Sequence, residues 1–233
     1  MEVIETGFNS TVYKQDDGLL IHDLETNEES MYRFLYRSLA QDLGINSPAV
    51  VEVNREEGLL VSEEASGSQV PEQDISNETL KQEFWDIINI LHGFEASKAG
   101  KGLSMSLEDY VNQRFSKIDQ EPDSELFNDD IVYCHRDINP SNLFFDGEDL
   151  ELIDFGSAEF GPRHYDLAIH ANFADRYNFG DYREFYEFPV DELKLERWRN
   201  YDATRSIQWA EEIDGNTNHI ISENEKLLER LND

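Results

Sequence analysis

The stretch from Cys134 to Asn142 reads Cys134-His135-Arg136-Asp137-Ile138-Asn139-Pro140-Ser141-Asn142, and Asp154-Phe155-Gly156 follows twelve residues after Asn142. It spaces an Asp, an Asn and a second Asp as phosphoryl transfer from a nucleotide requires. In that chemistry Asp137 would orient an attacking hydroxyl group and take its proton. Asn142 and Asp154 would hold Mg²⁺, a hard cation that takes oxygen ligands.

The segments around this stretch predict short strands. Ile131–Cys134 is an apolar run typical of a buried strand. Leu143–Phe145 and residues 150–153 predict a hairpin whose turn is Asp146-Gly147. We expect this hairpin to place the metal-binding Asn at its entrance and the metal-binding Asp at its exit.

The same stretch resembles the motif pair of kinase-like phosphotransferases, His135-x-Asp137-x4-Asn142 followed by Asp154-Phe155-Gly156. Three further segments are similar to the branch of aminoglycoside phosphotransferases and choline kinases, namely residues 139–146, residues 161–168 and Leu91-His92. The activation segment of protein kinases, which ends in Ala-Pro-Glu, has no counterpart in the sequence. The resemblance implies an α+β, two-lobed protein-kinase-like fold that uses ATP and Mg²⁺, with a small β-rich N-terminal lobe and a larger, mainly helical C-terminal lobe.

Supporting roles are expected near the catalytic stretch, for Asp166 from the resemblance and for His135 and Arg136 from their positions in the sequence. Asp166 would buttress the catalytic loop, with helix N-capping as the plain alternative. His135 would pack and hydrogen-bond within the loop rather than transfer protons. Arg136 would either offset negative charge beside the phosphates or lie solvated in the loop.

The lysine that this family carries in its third strand is missing from the sequence. His22 stands at the expected position, in the segment Leu-Ile-His-Asp. Lys14 lies on the same face of the second strand as Val12, so it could reach the phosphates instead. His22 could donate to a phosphate only when protonated, and it is largely neutral at pH 7. Glu29 could still be the helix Glu that pairs with such a lysine, or it could be the capping-box residue of its helix.

Other nucleotide contacts are predicted in the N-terminal region. The backbone N–H groups of Ser10 and Thr11 could contact phosphate, or they could belong to a plain hairpin. Glu63 to Ala65 would supply backbone hydrogen bonds to the edge of the base. The apolar side chains that would sandwich the adenine, or else lie in the core, are Val12, Ile21, Val61, Leu143 and Ile153.

The composition excludes several classes of partner. The chain has 51 Asp and Glu against 19 Lys and Arg, a formal net charge of −32. Nucleic acids and anionic membranes need clustered positive charge, so neither is an expected partner. Self-repulsion of such a surface is relieved by salt, which predicts a halophilic source; attraction of a cationic substrate is the alternative. One cysteine, the lack of a long apolar run and the lack of a recognisable signal peptide predict a cytoplasmic protein.

Hydrophobic periodicity predicts two lobes. Residues 1–65 would form the nucleotide-binding lobe, with one helix. Residues 66–233 would form the catalytic and acceptor-binding lobe. Its helices are predicted over residues 77–93, 107–118, 165–178, 190–213 and 218–231.

The acceptor is predicted to be a hydroxyl group of a small molecule, such as an aminoglycoside, a choline-like alcohol or a sugar. Acidic and aromatic side chains in the C-terminal region would suit a cationic acceptor or form a generic solvated face; they are Glu159, Asp175, Tyr177, Asp181, Tyr182 and Trp209. Two other hypotheses stay open. One is a kinase-like nucleotide-binding protein with weak or no catalysis, motivated by His22, and the other is a small atypical protein kinase.

Overall fold

The computed structural model describes residues 2–6, 10–24, 27–54, 56–71, 77–99, 106–213 and 217–232. The chain forms two compact units. The first contains Met1–Ile87 and Asp137–Glu159, and the second contains Ile88–Arg136 and Phe160–Asp233. The catalytic stretch is therefore divided between the two units after Arg136. The predicted lobe boundary after residue 65 stays a prediction.

The secondary structure of the described residues combines strands and helices, as an α+β fold requires. In chain order the strands are β1 (Glu2–Thr6), β2 (Ser10–Lys14), β3 (Leu20–Leu24), β4 (Val50–Asn54), β5 (Leu59–Ser62), β6 (Ser68–Gln69), β7 (Ile131–Cys134), β8 (Leu143–Phe145), β9 (Leu150–Leu152) and β10 (Glu159–Pro162). The helices are α1 (Asn27–Asp42), α2 (Glu78–His92), α3 (Leu107–Phe115), α4 (Arg163–Tyr177), α5 (Tyr182–Phe185), α6 (Glu192–Glu212) and α7 (Asn218–Asn232).

The first unit contains an antiparallel sheet with the strand order β1-β2-β3-β5-β4. Asp17-Gly18 lies in the turn between β2 and β3, and the φ of 88° at Gly18 is one that glycine adopts without steric cost. Helix α1 contacts β3, β4 and β5. It ends shortly before Gly44, whose φ of 90° is typical of a glycine that follows the end of a helix. Thr26, which would form the capping box of this helix together with Glu29, lies outside the described residues.

A second antiparallel sheet in the first unit has the order β6-β8-β9. Leu143 pairs with Leu152 and Phe145 pairs with Leu150, which confirms the predicted hairpin. Gly147, with a φ of 109°, lies in its turn. This hairpin determines where the candidate metal ligands lie, because they flank its two strands.

Gly67 is a position at which the second sheet requires glycine. Its φ is 77°, and a Cβ atom there would lie 2.5 Å from the backbone oxygen of Phe145. We expect Gly67→Ala to lower the free energy of unfolding by about 3 kcal/mol, because the strained φ and the backbone clash act together. Gly18→Ala is the matched control, since its φ is also positive but no atom lies within 4 Å. We expect it to cost about 1 kcal/mol in urea denaturation; equal losses for the two variants would contradict the clash.

The second unit is built around an aromatic core. Trp198 on α6 is fully buried, and its ring centroid lies 4.6 Å from that of Tyr165 and 5.4 Å from that of Phe115. Helix α6 packs against α4 and α7, while β7 pairs with β10. The five helices predicted by periodicity correspond to α2, α3, α4, α6 and α7 to within a few residues. Helix α5 and strand β10 were not predicted, because α5 is a single turn and β10 (Glu-Phe-Gly-Pro) lacks the apolar run that marks β7.

No helix of the described residues has the length and the apolar character needed to cross a membrane.

Candidate active site

Asp137 follows β7 in a loop whose amide side chains hold its carboxylate. Asn139 Nδ2 donates to Asp137 Oδ1 at 2.8 Å, and Asn142 Nδ2 donates to Asp137 Oδ2 at 3.0 Å. Asn142 Nδ2 also lies 2.8 Å from the Asp137 carbonyl oxygen. Each carboxylate oxygen therefore has an amide donor, and the orientation of the group is fixed by the loop itself.

Asn139 is a member of the site that sequence reasoning missed. It begins the 3₁₀ turn Pro140–Asn142, where its side chain accepts the Ser141 N–H at 2.9 Å. The Asn-Pro pair predicts such a capped turn. It does not predict that the other end of the same amide would hold Asp137, so only the structure identifies this contact.

The β8–β9 hairpin brings the other two predicted residues together. Asn142 immediately precedes β8, and its carbonyl oxygen accepts the Ile153 N–H at 3.0 Å. Asp154 is the next residue, with a φ of 54°, and its Oδ1 accepts the Gly156 N–H at 3.1 Å. Asn142 is buried, whereas 44% of the Asp154 side chain is exposed. Asp137, Asn142 and Asp154 all lie in the first unit.

Arg33 contacts the same acid from α1. Its Nη1 donates to Asp154 Oδ1 at 3.1 Å, and the Arg33 side chain is 16% exposed. The two residues are separated by 121 positions in the chain. A helix pattern shows which residues share a face, but it does not show which loop that face meets. This ion pair therefore could not be predicted from the sequence pattern.

Asn142 and Asp154 fit a magnesium ion that arrives with a nucleotide. Within the described part of the chain, no group of three or more His, Cys, Asp or Glu side chains could hold a metal ion. One amide and one carboxylate are too few to hold Mg²⁺ alone. In nucleotide sites, however, Mg²⁺ takes one or two carboxylates together with phosphate oxygens and waters. The donor set thus matches a phosphate-bound cation.

Asp166 is a fully buried acid on α4 in the second unit. Its Oδ1 accepts the backbone N–H of Arg136 at 2.8 Å. Its Oδ2 accepts from Nε2 of His92 at 2.9 Å and from Nε2 of His170 at 3.0 Å. His92 Nδ1 lies 2.6 Å from the Tyr186 hydroxyl. Arg136 has a φ of 69°, so Asp166 holds a residue of the catalytic stretch in a conformation that few side chains adopt.

The three N–H donors keep Asp166 ionised. Burial alone would raise the pKa of Asp166, but the interactions with His170, together with the hydrogen bond from His92, outweigh burial and lower this pKa well below its usual range. Burial lowers the pKa of His92, and a neutral His92 can donate through Nε2 while Nδ1 accepts the Tyr186 hydroxyl. His92 belongs to the Leu91-His92 pair noted in the sequence, whereas His170 and Tyr186 were missed.

The two other residues of the catalytic stretch with predicted roles, His135 and Arg136, lie in the second unit. His135 is completely buried directly after β7. The Arg136 guanidinium lies over the ring of Tyr165, with Cζ 5.3 Å from the ring centroid and Nη2 3.4 Å from the hydroxyl oxygen. Arg136 is half-buried, so it is not the solvated loop arginine of the plain alternative. Its effect on phosphates stays a prediction.

His22 shares a face of the first sheet with Val12, the residue opposite it in β2. Its Nε2 lies 3.1 Å from Ser62 Oγ. Burial, helped by the positive charges of Arg37 and Arg33, lowers the pKa of His22 to about 4. His22 is therefore neutral at pH 7, and a phosphate contact from its protonated form is not supported.

The neutral state of His22 has a consequence for stability. Its folded pKa of about 4 lies below an unfolded value of about 6.5. Between these pH values the unfolded chain binds more protons, so the free energy of unfolding falls as pH falls. The difference between the folded and unfolded pKa of His22 contributes about 3 kcal/mol at most to the free energy of unfolding. We expect His22→Gln, which cannot be protonated, to remove this part of the pH dependence. Urea denaturation of wild type and His22→Gln at pH 7 and near pH 4.5 measures this pH dependence. An equal change in the free energy of unfolding between the two pH values in both proteins would contradict its assignment to His22.

The other residues predicted to contact the nucleotide lie at several places in the first unit. Lys14 Nζ lies 2.8 Å and 2.6 Å from the two carboxylate oxygens of Glu64. The Glu63 N–H donates to the Ala49 carbonyl oxygen at 2.9 Å. Ala65 is half-buried just after β5. These residues are near one another in sequence and sheet, but their contact with a base stays a prediction.

The remaining predicted residues are placed as follows. Val12 and Leu143 are buried, and Ile153 is half-buried. Thr11 is half-buried in β2, opposite Asp23. The side chains of Ser10 and Glu29 lie outside the described residues, so their predicted roles stay predictions.

The second unit contains a cavity of about 470 Å³ between α4 and α7. Of the acidic residues predicted to attract a cationic acceptor, Asp175 lines this cavity and forms an ion pair with Arg199. Asp181 pairs with Arg183 at 3.4 Å. Both acids thus have guanidinium partners, and a cationic acceptor in this region stays a prediction.

Comparison with known proteins agrees with the motifs. A family model described as the phosphotransferase enzyme family matches residues 70–205, more than half of the 233-residue chain. No curated protein sequence matches the chain. Among solved structures, the gentamicin–APH(2")-IIa complex is 17% identical with a TM-score of 0.67, covering 96% of this chain and 90% of that one.

Two further structures share the fold. The GDP complex of aminoglycoside 2'-phosphotransferase-IIIa is 18% identical with a TM-score of 0.65, covering 99% and 91% of the two chains. Choline kinase LicA from Streptococcus pneumoniae is 16% identical with a TM-score of 0.65, covering 100% and 92%. These likenesses confirm the predicted two-lobed, kinase-like fold. Together with the family match, they show that the chain belongs to the phosphotransferase enzyme family.

Proposed function

We propose that this phosphotransferase moves the γ-phosphoryl group of ATP to a hydroxyl group of a small molecule, with Mg²⁺ bound to the nucleotide. The observation that carries the proposal is the Asp137 carboxylate, held on both oxygens by Asn139 and Asn142. A carboxylate oriented in this way suits a base that receives a proton from a substrate hydroxyl. Asp154, in the same unit, supplies the acid expected for the metal.

The nucleotide, the metal ion and the protein would each supply a different part of the reaction. ATP and Mg²⁺, when bound, supply the phosphoryl group and neutralise charge on the phosphates. Asp137 would take the hydroxyl proton as the acceptor oxygen bonds to the γ-phosphorus. The bond to the β–γ bridging oxygen breaks in the same step, and ADP leaves with its electron pair. Because the Asn142 amide nitrogen is engaged by Asp137, the amide oxygen is the atom that Asn142 would offer to a cation.

The nucleotide would lie along the first sheet. Val12 and Ile153 would contact the adenine, and Leu143 would support it from the core. The Glu63 N–H is already donated to Ala49, so the carbonyl oxygen of Glu63 and the backbone of Ala65 would contact the edge of the base.

The wider setting is also a proposal. A single cysteine, Cys134, which is buried, suits a reducing cytoplasm. A net charge of −32 suits a salt-rich source. The structural relatives include a gentamicin complex and a choline kinase, so aminoglycosides and choline are the first acceptors to test.

The test is a panel assay for ADP formation with ATP or GTP as donor. Aminoglycosides, choline, ethanolamine and simple sugars serve as acceptors, and Asp137→Ala serves as the blank. We expect an acceptor-dependent ADP signal and a product heavier than the acceptor by one phosphoryl group. Nucleotide binding without turnover on any acceptor would instead indicate a non-catalytic binding protein. Label transferred to protein would indicate a protein kinase.

The same assay tests the source of the acidity when it is run in low salt and in molar KCl. Activity and melting temperature should both rise with salt, because screening relieves the repulsion between acidic side chains. A melting temperature that does not change with salt would contradict a salt-rich origin.

A further inference from the structure

In the described part of the first sheet, the position of the strand lysine of the resembled family holds no cation. His22 occupies the lysine position, and burial keeps it neutral at pH 7, with a pKa of about 4. Lys14 directs its ammonium group at both oxygens of Glu64. Neither strand residue is therefore arranged to neutralise a phosphate in this structure.

Helix α1 brings a cation to the metal-binding acid instead. Arg33 Nη1 donates to Asp154 Oδ1 at 3.1 Å. The same oxygen accepts the Gly156 N–H. The guanidinium thus lies directly at the residue proposed to hold the metal, within the same unit.

The turn after Asp154 is shaped to admit this guanidinium. A Cβ atom at Gly156 would lie 2.7 Å from Arg33 Nη2 and 3.0 Å from Asp154 Oδ1. Any side chain at that position would displace the arginine from the acid. The lack of a side chain at residue 156 therefore keeps the space that Arg33 occupies.

A second arginine on the same helix makes a different contact. Arg37 lies one helical turn after Arg33, is buried, and donates through Nε to Ser47 Oγ at 2.9 Å. Burial lowers the pKa of Arg37 to about 10, so Arg37 remains charged at neutral pH. Its guanidinium is engaged by Ser47 rather than by Asp154. Arg33 is the arginine of this pair that reaches Asp154.

We propose that Arg33 contacts the nucleotide phosphates and replaces the strand lysine of the resembled family; this inference rests on the proposed function. A guanidinium has five N–H donors in a planar fork, so it can hold a carboxylate and a phosphate oxygen together. In this arrangement α1 carries the positive charge, and the uncharged His22 is compatible with an active enzyme.

The experiment measures binding of Mg–ATP and of adenosine by calorimetry or by competition with a fluorescent nucleotide. We expect Arg33→Ala to weaken Mg–ATP binding by about 10- to 100-fold. Adenosine lacks phosphates, so its affinity should change by less than about threefold. Arg33→Gln is the second variant, which keeps a polar side chain on α1 if the Ala variant does not fold. Arg197→Ala is the control, because Arg197 forms an exposed ion pair with Asp123.

Two additional variants sharpen the test. Gly156→Ala should displace the guanidinium and weaken Mg–ATP binding in the same direction as Arg33→Ala. His22→Lys in the Arg33→Ala background should restore Mg–ATP affinity to within about fivefold of wild type, because it returns a cation to the strand.

The outcomes separate this inference from the proposed function. Wild type that binds no nucleotide overturns both. Wild type that binds Mg–ATP, with an Arg33→Ala variant of equal affinity, overturns only the role of Arg33. Equal losses for Mg–ATP and adenosine would indicate a structural role and overturn it as well. Loss of phosphate-dependent binding in Lys14→Ala, without loss in Arg33→Ala, would assign the contact to the strand instead.

Discussion

Asp137→Ala is expected to lower kcat by about 10²- to 10⁴-fold, the range for loss of a general base. The reason is that Asp137 would receive the proton of the attacking hydroxyl, and no other residue of the loop carries a carboxylate. Affinity for Mg–ATP should stay within about threefold of wild type, because the proposed metal ligands are Asn142 and Asp154. Initial rates at saturating ATP and acceptor, with calorimetry for the nucleotide, measure both quantities.

Two variants make this result specific. Asp137→Asn keeps the size of the side chain but lacks the charge, so it should lose activity to a similar degree. Asp149→Asn removes an exposed acid on the neighbouring hairpin and should retain wild-type kcat. A kcat within tenfold of wild type for both Asp137 variants would remove Asp137 from the reaction.

Asp166→Ala is expected to lower the free energy of unfolding by about 3–5 kcal/mol, because a buried donor left without an acceptor costs about 1–3 kcal/mol and this substitution leaves three such donors. It would leave the Arg136 N–H and the Nε2 atoms of His92 and His170 without their shared acceptor. Because the folded pKa of Asp166 is lowered, its contribution is present above an unfolded pKa of about 3.9 and is lost at lower pH. The difference between wild type and variant should therefore be full at pH 7.

Urea denaturation at pH 7 measures this loss, and Asp202→Asn is the matched control. Burial raises the pKa of Asp202, which favours its neutral form. Its carboxylate accepts from Asn172 at 2.8 Å, and an amide can replace that contact at a cost of about 1 kcal/mol. Similar losses for the two substitutions would show that the charge of Asp166 has no special part in stability.

Much of the fold could be predicted because its signals are local. The apolar run of β7, and the two apolar segments joined by the turn at Asp146-Gly147, predicted these strands to within one residue, and periodicity predicted the long helices. The spacing of Asp137, Asn142 and Asp154 could be read for the same reason, since one loop and one hairpin carry all three. These elements need no knowledge of distant packing.

The contacts that could not be predicted join distant parts of the chain. Arg33 meets Asp154 across 121 residues, and His92 meets Asp166 across 74. Period-2 alternation places Lys14 on the face of Val12, but it does not show that Glu64 receives the ammonium group. Such pairings depend on the way that sheets, helices and loops pack, and one sequence carries no direct signal for them.

The missing strand lysine illustrates this limit of local reasoning. From the sequence, His22 suggests either a relocated cation or a protein that has lost catalysis. The structure adds a neutral His22 and an arginine at Asp154, which favours relocation. An active site built on Asp137, Asn142 and Asp154 is therefore compatible with the loss of the strand lysine.

The most direct test of the account is a crystal structure with Mg²⁺ and a non-hydrolysable ATP analogue. We expect one cation about 2.0–2.1 Å from the Asn142 amide oxygen and from an Asp154 carboxylate oxygen, with phosphate oxygens completing its shell. The Asp137 carboxylate should remain held by Asn139 and should face the terminal phosphate. A cation bound by other residues, or a nucleotide whose phosphates lie away from Asp154, would contradict the account.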